Sequence, residues 1–216
     1  MNIPEWTPSR RSLMKTGLAV AGAAAASVIP MRGAMAAYAT SSLSSERVVR
    51  PALFRAAMIA LEQHGSEIPC HDRIAIADFA VASSQPRFHF VDLVSGDTTT
   101  MLVAHGRGSD PEHTGWLQLF SNEPSSFASS DGAFLTSDYY IGKHGLSQRL
   151  VGLDPTNNNA LDRAIVIHSA WYANPDMLIT HGQLGRSEGC FAVGEAALDE
   201  VFARLGPDRM VFAAKV

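Results

Sequence analysis

From Arg73 onward the chain is written in short runs of β-branched, aromatic and alanine residues, cut apart by Gly, Ser, Asn and Asp. "RIAIADFA" (73–80) and "RFHFVDLV" (87–94) have the length and composition of strands. The second turns through Ser95-Gly96-Asp97 into "TTTMLVA", a hairpin signal. After a stretch rich in Gly, Ser, Asn and Asp (105–132), "AFLTSDYYIG" and "RAIVIH" have strand character again, and "RMVFAAKV" closes the chain as a strand. Two helical patterns frame these runs. "RPALFRAAMIALEQHG" carries Pro51 in its first turn, Gly65 as a stop, and Leu53, Ala57, Ala60 and Leu61 as an apolar stripe. "GEAALDEVFARLGP" (194–207) is stopped by Gly206-Pro207. No tandem repeat is present. Strands dominate and helices sit toward the ends, so the expected class is α+β, mainly β.

The N-terminus has a different character. "SRRSLMK" (9–15) is followed by the nearly uncharged "TGLAVAGAAAASVIPM" and then "AMAA". That order is the order of a twin-arginine export signal, with Arg10 and Arg11 read by the translocon and cleavage expected after Ala36. A membrane anchor is the competing reading. The run is short for a bilayer span, rich in Ala and Gly, and carries Pro30, so no stable membrane span is expected in the mature form. The expected organisation is a signal over 1–36, a flexible Ser-rich leader over 37–45, and one folded domain over 46–216. The expected location is the periplasm or cell envelope. Without residues 1–36 the chain keeps 13 basic and 20 acidic residues, a net charge of −7. No basic patch remains for a nucleic-acid backbone.

Cys190, in "GRSEGCFAV" (185–193), is one of only two cysteines. It is open to four readings: packing, half of a disulfide, a metal ligand, or a nucleophile. His168 closes the strand "RAIVIH", and Cys190 follows it by 22 residues, in a turn that reads as leading into a helix. A helix N-terminus favours thiolate over thiol. A Cys/His pair is the minimum for thiol-based acyl transfer, and Gly189 lets backbone N–H groups come close enough to hold an oxyanion. By spacing alone, a packed cysteine and a hydrogen-bonded core histidine are the commoner outcome, and the choice stays open. His181 lies between the two, but the spacing matches no familiar zinc pattern, and no metal is expected. A Cys70–Cys190 disulfide in an oxidising compartment would leave a stapled binding module without a nucleophile.

"IHSAWY" followed by "GRSEGC" resembles the catalytic signature of the L,D-transpeptidase (YkuD-type) family. The likeness extends through "IADFAVASSQPRFHFVDLVSGD", "VAHGRGS", "FSNEPSSFASSDGAFLTSDYYIGKHGLSQRLVGLDP" and "NNNALDRAIVIHSAWY". These blocks, over residues 70–216, are similar to a divergent branch of murein L,D-transpeptidase catalytic domains. The resemblance implies a fold of mixed β-sheets with flanking helices. It implies Cys190 as nucleophile, His168 as base, the Ser169 backbone carbonyl as the group that orients the imidazole, and Gly189 in the oxyanion region. The implied substrate is a peptidoglycan stem tetrapeptide, cleaved with loss of D-Ala and passed to a neighbouring amine as a 3-3 cross-link. No cofactor is implied. L,D-carboxypeptidase action, attachment or release of wall proteins, and a non-catalytic wall-binding module are the alternatives.

Two departures stand out. The family's usual Ser-His-Gly-Cys is here Ser187-Glu188-Gly189-Cys190, and Phe191-Ala192 stands where a basic residue usually lies two positions after the cysteine. Glu188 is expected either to hold an acceptor ammonium or to face solvent beside Arg186. Arg186 is a candidate for a stem carboxylate, and Tyr139 and Tyr140 for an aromatic cleft wall. Lys143 and His144 are candidates to meet substrate carboxylates, with exposed loop residues as the default reading; His105 reads as a turn residue, and Trp116, Trp171 and Phe134 as core or cleft-wall aromatics.

Overall fold

Pro51 opens the first helix and Leu53, Ala57, Ala60 and Leu61 are its buried face, as the apolar stripe predicts. The computed structural model describes residues 43–44 and 48–216. The segment expected to be an export signal (1–36) lies outside them, as does the expected leader apart from Leu43–Ser44. In chain order the elements are β1 (Leu43–Ser44), α1 (Pro51–Gln63), β2 (Arg73–Asp78), β3 (Phe88–Asp92), β4 (Asp97–Met101), β5 (Gly132–Gly142), β6 (Gly145–Gly152) and β7 (Val166–Ser169). A short α2 (Asp176–His181), β8 (Phe191–Val193), α3 (Leu198–Leu205) and β9 (Met210–Ala214) complete the chain. The strands form one mixed sheet in the order β1-β4-β3-β2-β9-β5-β6-β7-β8. Only β2–β9 and β7–β8 pair in parallel.

Strand alternation divides the core. On one face Ile74 and Ile76 of β2 and Met210 and Phe212 of β9 pack with the α1 stripe. On the other, Ala75, Ala77, Val211 and Ala213 join Phe88, Phe134, Ile167 and Phe191, with Leu198, Val201 and Leu205 of α3. Five strands lie between β3 and β8 in the sheet order, yet the rings of Phe88 and Phe191 are 5.9 Å apart. The sheet therefore curls over its own aromatic core. Phe191 also meets Phe134 at 5.5 Å and Phe79 at 6.1 Å.

Three local expectations change. β6 was not legible, because "GLSQRLVG" places polar Ser147 and Gln148 in the interior. There the Gln148 amide donates to the carbonyl oxygens of Ser137 and Gly206. β8 was read as the run-in to a helix. Burial of Phe191 and Val193 instead makes it a strand, and α3 begins only at Leu198. Of the aromatics read as core or cleft wall, Phe134 is buried, whereas Trp116 and Trp171 are 51% and 66% exposed.

Replacing Phe191 by Ala is expected to lower the unfolding free energy by about 3–5 kcal/mol, the scale for emptying a buried phenylalanine site. Urea denaturation reads this directly. A loss below 1 kcal/mol would mean that the aromatic core closes without it.

Acid should also destabilise the fold. Burial pushes His89, His105 and His168 each down to about 4, whereas an unfolded imidazole titrates at about 6.5. Between those values the unfolded chain binds more protons. Stability is thus complete above pH 6.5 and falls as pH drops toward 4, by about 1.4 kcal/mol per pH unit for each histidine. Burial pulls His64 down, but its bonds to Glu67 and Asp154 raise it overall, so it acts oppositely, one group against three. A urea midpoint that stays constant from pH 7 to pH 5 would contradict this account.

Candidate active site

The parallel pair β7–β8 brings the cysteine and the histidine together. Ile167 lies opposite Phe191 and His168 opposite Ala192. One step back, Cys190 falls opposite Val166. Alternation sends Ile167 and Phe191 into the aromatic core, so Cys190, Ala192 and His168 share the other face. With strands spaced about 4.8 Å apart and a rise of about 3.3 Å per residue, the two Cα atoms are diagonal neighbours about 8 Å apart. The His168 Nδ1 lies 2.8 Å from the Ser169 carbonyl oxygen. Nδ1–H donates there, which leaves Nε2 as the basic nitrogen.

The cysteine turn is tied down from several sides. Gly189 has φ +111°, and a Cβ there would fall 2.6 Å from the Ala128 carbonyl oxygen and 2.9 Å from Ile165. Only glycine fits. The Ser187 hydroxyl donates to the Cys190 carbonyl (2.7 Å) and accepts from the Gly189 N–H (3.2 Å). Residues 104–107 run alongside: Ala104 N–H donates to Ala192 O (2.8 Å), Ser187 N–H to His105 O (2.9 Å), and Arg107 N–H to Ser187 O (2.7 Å).

Beneath them lies a wholly buried guanidinium. Arg87 donates to the carbonyls of Val103 and Val81 and, at 2.8 Å, to His105 Nδ1. The other His105 nitrogen faces Asp110 at 3.4 Å. Burial, reinforced by the Arg87 charge, holds His105 neutral. The sequence suggested only a turn residue here.

Burial favours the neutral form of both Cys190 and His168. Burial pushes the Cys190 thiol up. The Val166 N–H, Lys143 and Arg163 oppose that shift, and Glu188 adds to it. Burial also pushes His168 down to about 4, with His144 and Lys143 adding to the effect and the Ser169 carbonyl opposing it. The expected helix-terminus stabilisation of a thiolate is absent, because Cys190 leads directly into strand β8 and not into a helix. Its Sγ instead lies 3.5 Å from the Ala164 carbonyl oxygen.

The remaining candidates separate. Tyr140 lies opposite Ser147, and Ser147 opposite His168, so Tyr140 stands in the His168 row. Its ring carries the Arg149 guanidinium at 4.0 Å. Tyr139 faces the other way and packs on Phe202. Arg186 donates to the backbone carbonyls of Asp110 and Pro111. Glu188 pairs with Arg107 at 3.1 Å and reaches Lys143 at 3.8 Å, not Arg186.

His144, read as loop, stacks on His168 with ring centroids 4.1 Å apart and planes 18° from parallel. Tyr172 was also missed: burial raises its pKa, and so do the nearby charges of Cys190 and Glu188. "IHSAWY" contained it without saying which way it points.

His181 is exposed at the end of α2. Among the described residues no three His, Cys, Asp or Glu side chains gather as a metal set. Cys70 and Cys190 are both free, which removes the disulfide-stapled alternative. The Cys70 N–H bonds instead to the Asp208 carbonyl, beside the start of β9.

A buried cysteine at the start of β8 thus sits diagonally across from an oriented imidazole on β7. The chain belongs to the L,D-transpeptidase catalytic domain family, whose model matches residues 45–214. Comparison with curated protein sequences gives no match. Similar solved structures include an L,D-transpeptidase from Mycobacterium smegmatis, with 12% identity, TM-score 0.39, and coverage of 66% of this chain and 58% of that one. An L,D-transpeptidase from Mycobacterium tuberculosis H37Rv has 13% identity, TM-score 0.41 and coverage of 67% and 58%. L,D-transpeptidase 3 from Mycobacterium tuberculosis, in complex with a faropenem-derived adduct, has 12% identity, TM-score 0.42 and coverage of 67% and 60%. This chain thus spans less than two thirds of the length of each.

Because the resting thiol is buried and protonated, iodoacetamide at pH 7 is expected to alkylate the half-buried Cys70 before Cys190. Peptide mass spectrometry over a time course checks the order. Faster labelling of Cys190 would mean that a thiolate is stabilised in the free protein.

Proposed function

We propose that this protein is an exported cysteine acyltransferase that acts on peptidoglycan stem tetrapeptides through a thioester at Cys190. Family membership supports the substrate class. The observation that carries the reading is the β7–β8 register, which sets Cys190 and an oriented His168 on one face.

In the proposed cycle, His168 Nε2 takes the Cys190 proton as sulfur attacks the carbonyl of the stem's third residue. The N–H groups beside Gly189 are the nearest donors for the oxyanion, although the Gly189 N–H is already engaged by Ser187. The C–N bond then breaks, the imidazolium returns its proton to the departing D-Ala amine, and the thioester remains. A neighbouring stem amine attacks the thioester, His168 takes its proton, and sulfur leaves and is reprotonated. Water in place of the amine gives carboxypeptidase action from the same intermediate. No step calls for a metal or organic cofactor. Tyr140 stands in the row where a cleft wall would contact the stem. The reading puts the enzyme in the cell envelope, delivered by the twin-arginine signal of residues 1–36.

The test is incubation with a stem tetrapeptide, followed by mass analysis of protein and products. Wild type is expected to form the thioester and release D-Ala, and Cys190→Ala to do neither. His168→Gln should slow acylation by about 10²–10⁴-fold, the scale for losing a positioned acid/base. An imidazole lowered to about 4 is already basic at pH 5, so the acid limb of kcat/KM is expected well below 6.5. Acylation that survives Cys190→Ala would overturn the proposal. The product mass separates cross-linking from hydrolysis.

A further inference from the structure

Glu188 lies in the cysteine turn, yet the cycle above gives it no part. One carboxylate oxygen accepts from Arg107 Nη2 at 3.1 Å and the other lies 3.8 Å from Lys143 Nζ. Arg107 is indexed to the same turn as the nucleophile, because its N–H donates to Ser187 O. Its guanidinium carbon lies over the Phe127 ring, 3.9 Å from the centroid. Lys143 sits at the tip of the β5–β6 hairpin, next to the His144 ring that covers His168.

Two cations face one carboxylate, leaving one positive charge in excess at the nucleophile of a chain whose balance is otherwise acidic. These charges reach the reacting groups: Lys143 acts on both Cys190 and His168, and Glu188 acts on Cys190. The three side chains are between 50% and 74% exposed. Ion pairs this open are worth only about 0–1 kcal/mol, so another carboxylate can replace Glu188 at small cost. A guanidinium already fixed on a ring loses little freedom on accepting it.

We propose that Arg107 and Lys143 form a carboxylate-binding subsite beside Cys190, and that Glu188 is its built-in competitor, displaced when a substrate carboxylate arrives. The ligand is a peptide carboxylate. In a stem tetrapeptide it comes either from the C-terminal D-Ala or from the side chain of the diamino acid. The inference rests on the peptide acyl-transfer reading. It also replaces the expectation that Glu188 receives an ammonium, since its oxygens already face cations.

The experiment uses one tetrapeptide in three forms: with both carboxylates free, amidated at the C-terminus, or amidated at the diamino-acid side chain. Binding is measured by calorimetry in the Cys190→Ala background, with thermal melting to check that each variant is folded. Arg107→Gln is expected to weaken the free acid about tenfold, the scale of a lost charge-assisted hydrogen bond, with a smaller loss for Lys143→Gln. Glu188→Gln should tighten the free acid roughly 3–10-fold by removing the competitor. The amide whose affinity no longer depends on Arg107 identifies the carboxylate recognised. Unchanged affinity in Glu188→Gln, or equal losses for all three peptides in Arg107→Gln, would overturn the subsite. Thioester formation by otherwise wild-type protein is read in parallel. Its absence defeats the acyl-transfer reading and the subsite with it. Its presence without discrimination between acid and amide defeats the subsite alone.

Discussion

The Phe191 ring packs against Phe79, Phe88 and Phe134, and that contact commits the strands carrying those rings to one buried face. It also closes the curled sheet, since β3 and β8 meet only through it and its neighbours. Cys190 precedes Phe191 directly, so the seat of the phenyl ring decides which way the thiol points. In strand geometry one residue is one reversal of face. A thiol placed next to a core anchor is therefore aimed by packing, and its 3.5 Å contact with the Ala164 carbonyl adds to that.

Aiming the thiol from the core means burying it, and the surrounding charges follow from that. Thiol and imidazole both rest neutral, since burial disfavours each charged form. The turn itself hangs on backbone hydrogen bonds to residues 104–107, which a buried Arg87–His105–Asp110 chain underpins. The outer rim, with Glu188, Arg107 and Lys143, meets solvent.

The β5–β6 hairpin joins these two zones. Its inner strand carries Ser147 between Tyr140 and His168, and its tip brings His144 onto His168 and Lys143 toward Glu188. The hairpin thus covers His168 and also supplies two strands of the sheet. Strand alternation makes Tyr139 and Tyr140, neighbours in the chain, part company, one on Phe202 of α3 and one in the His168 row.

Features written within a few residues could be read from the chain alone. The α1 stripe, the strands at 73–78, 88–92 and 210–214, and the hairpin through Gly96 depend on local periodicity and turn chemistry. The resemblance around His168 and Cys190 named the pair. The tertiary structure decided the rest. A three-residue strand such as β8 is too short to show a period, and β6 hides polar side chains whose partners lie up to 58 residues away. Arg107 and Glu188, 81 residues apart, meet because segment 104–107 lies along the cysteine turn. The neutral state of the thiol likewise depends on how deeply Phe191 draws its neighbour inward. Burial and register are properties of the assembled sheet, summed over strands distant in the chain, and no local window contains them.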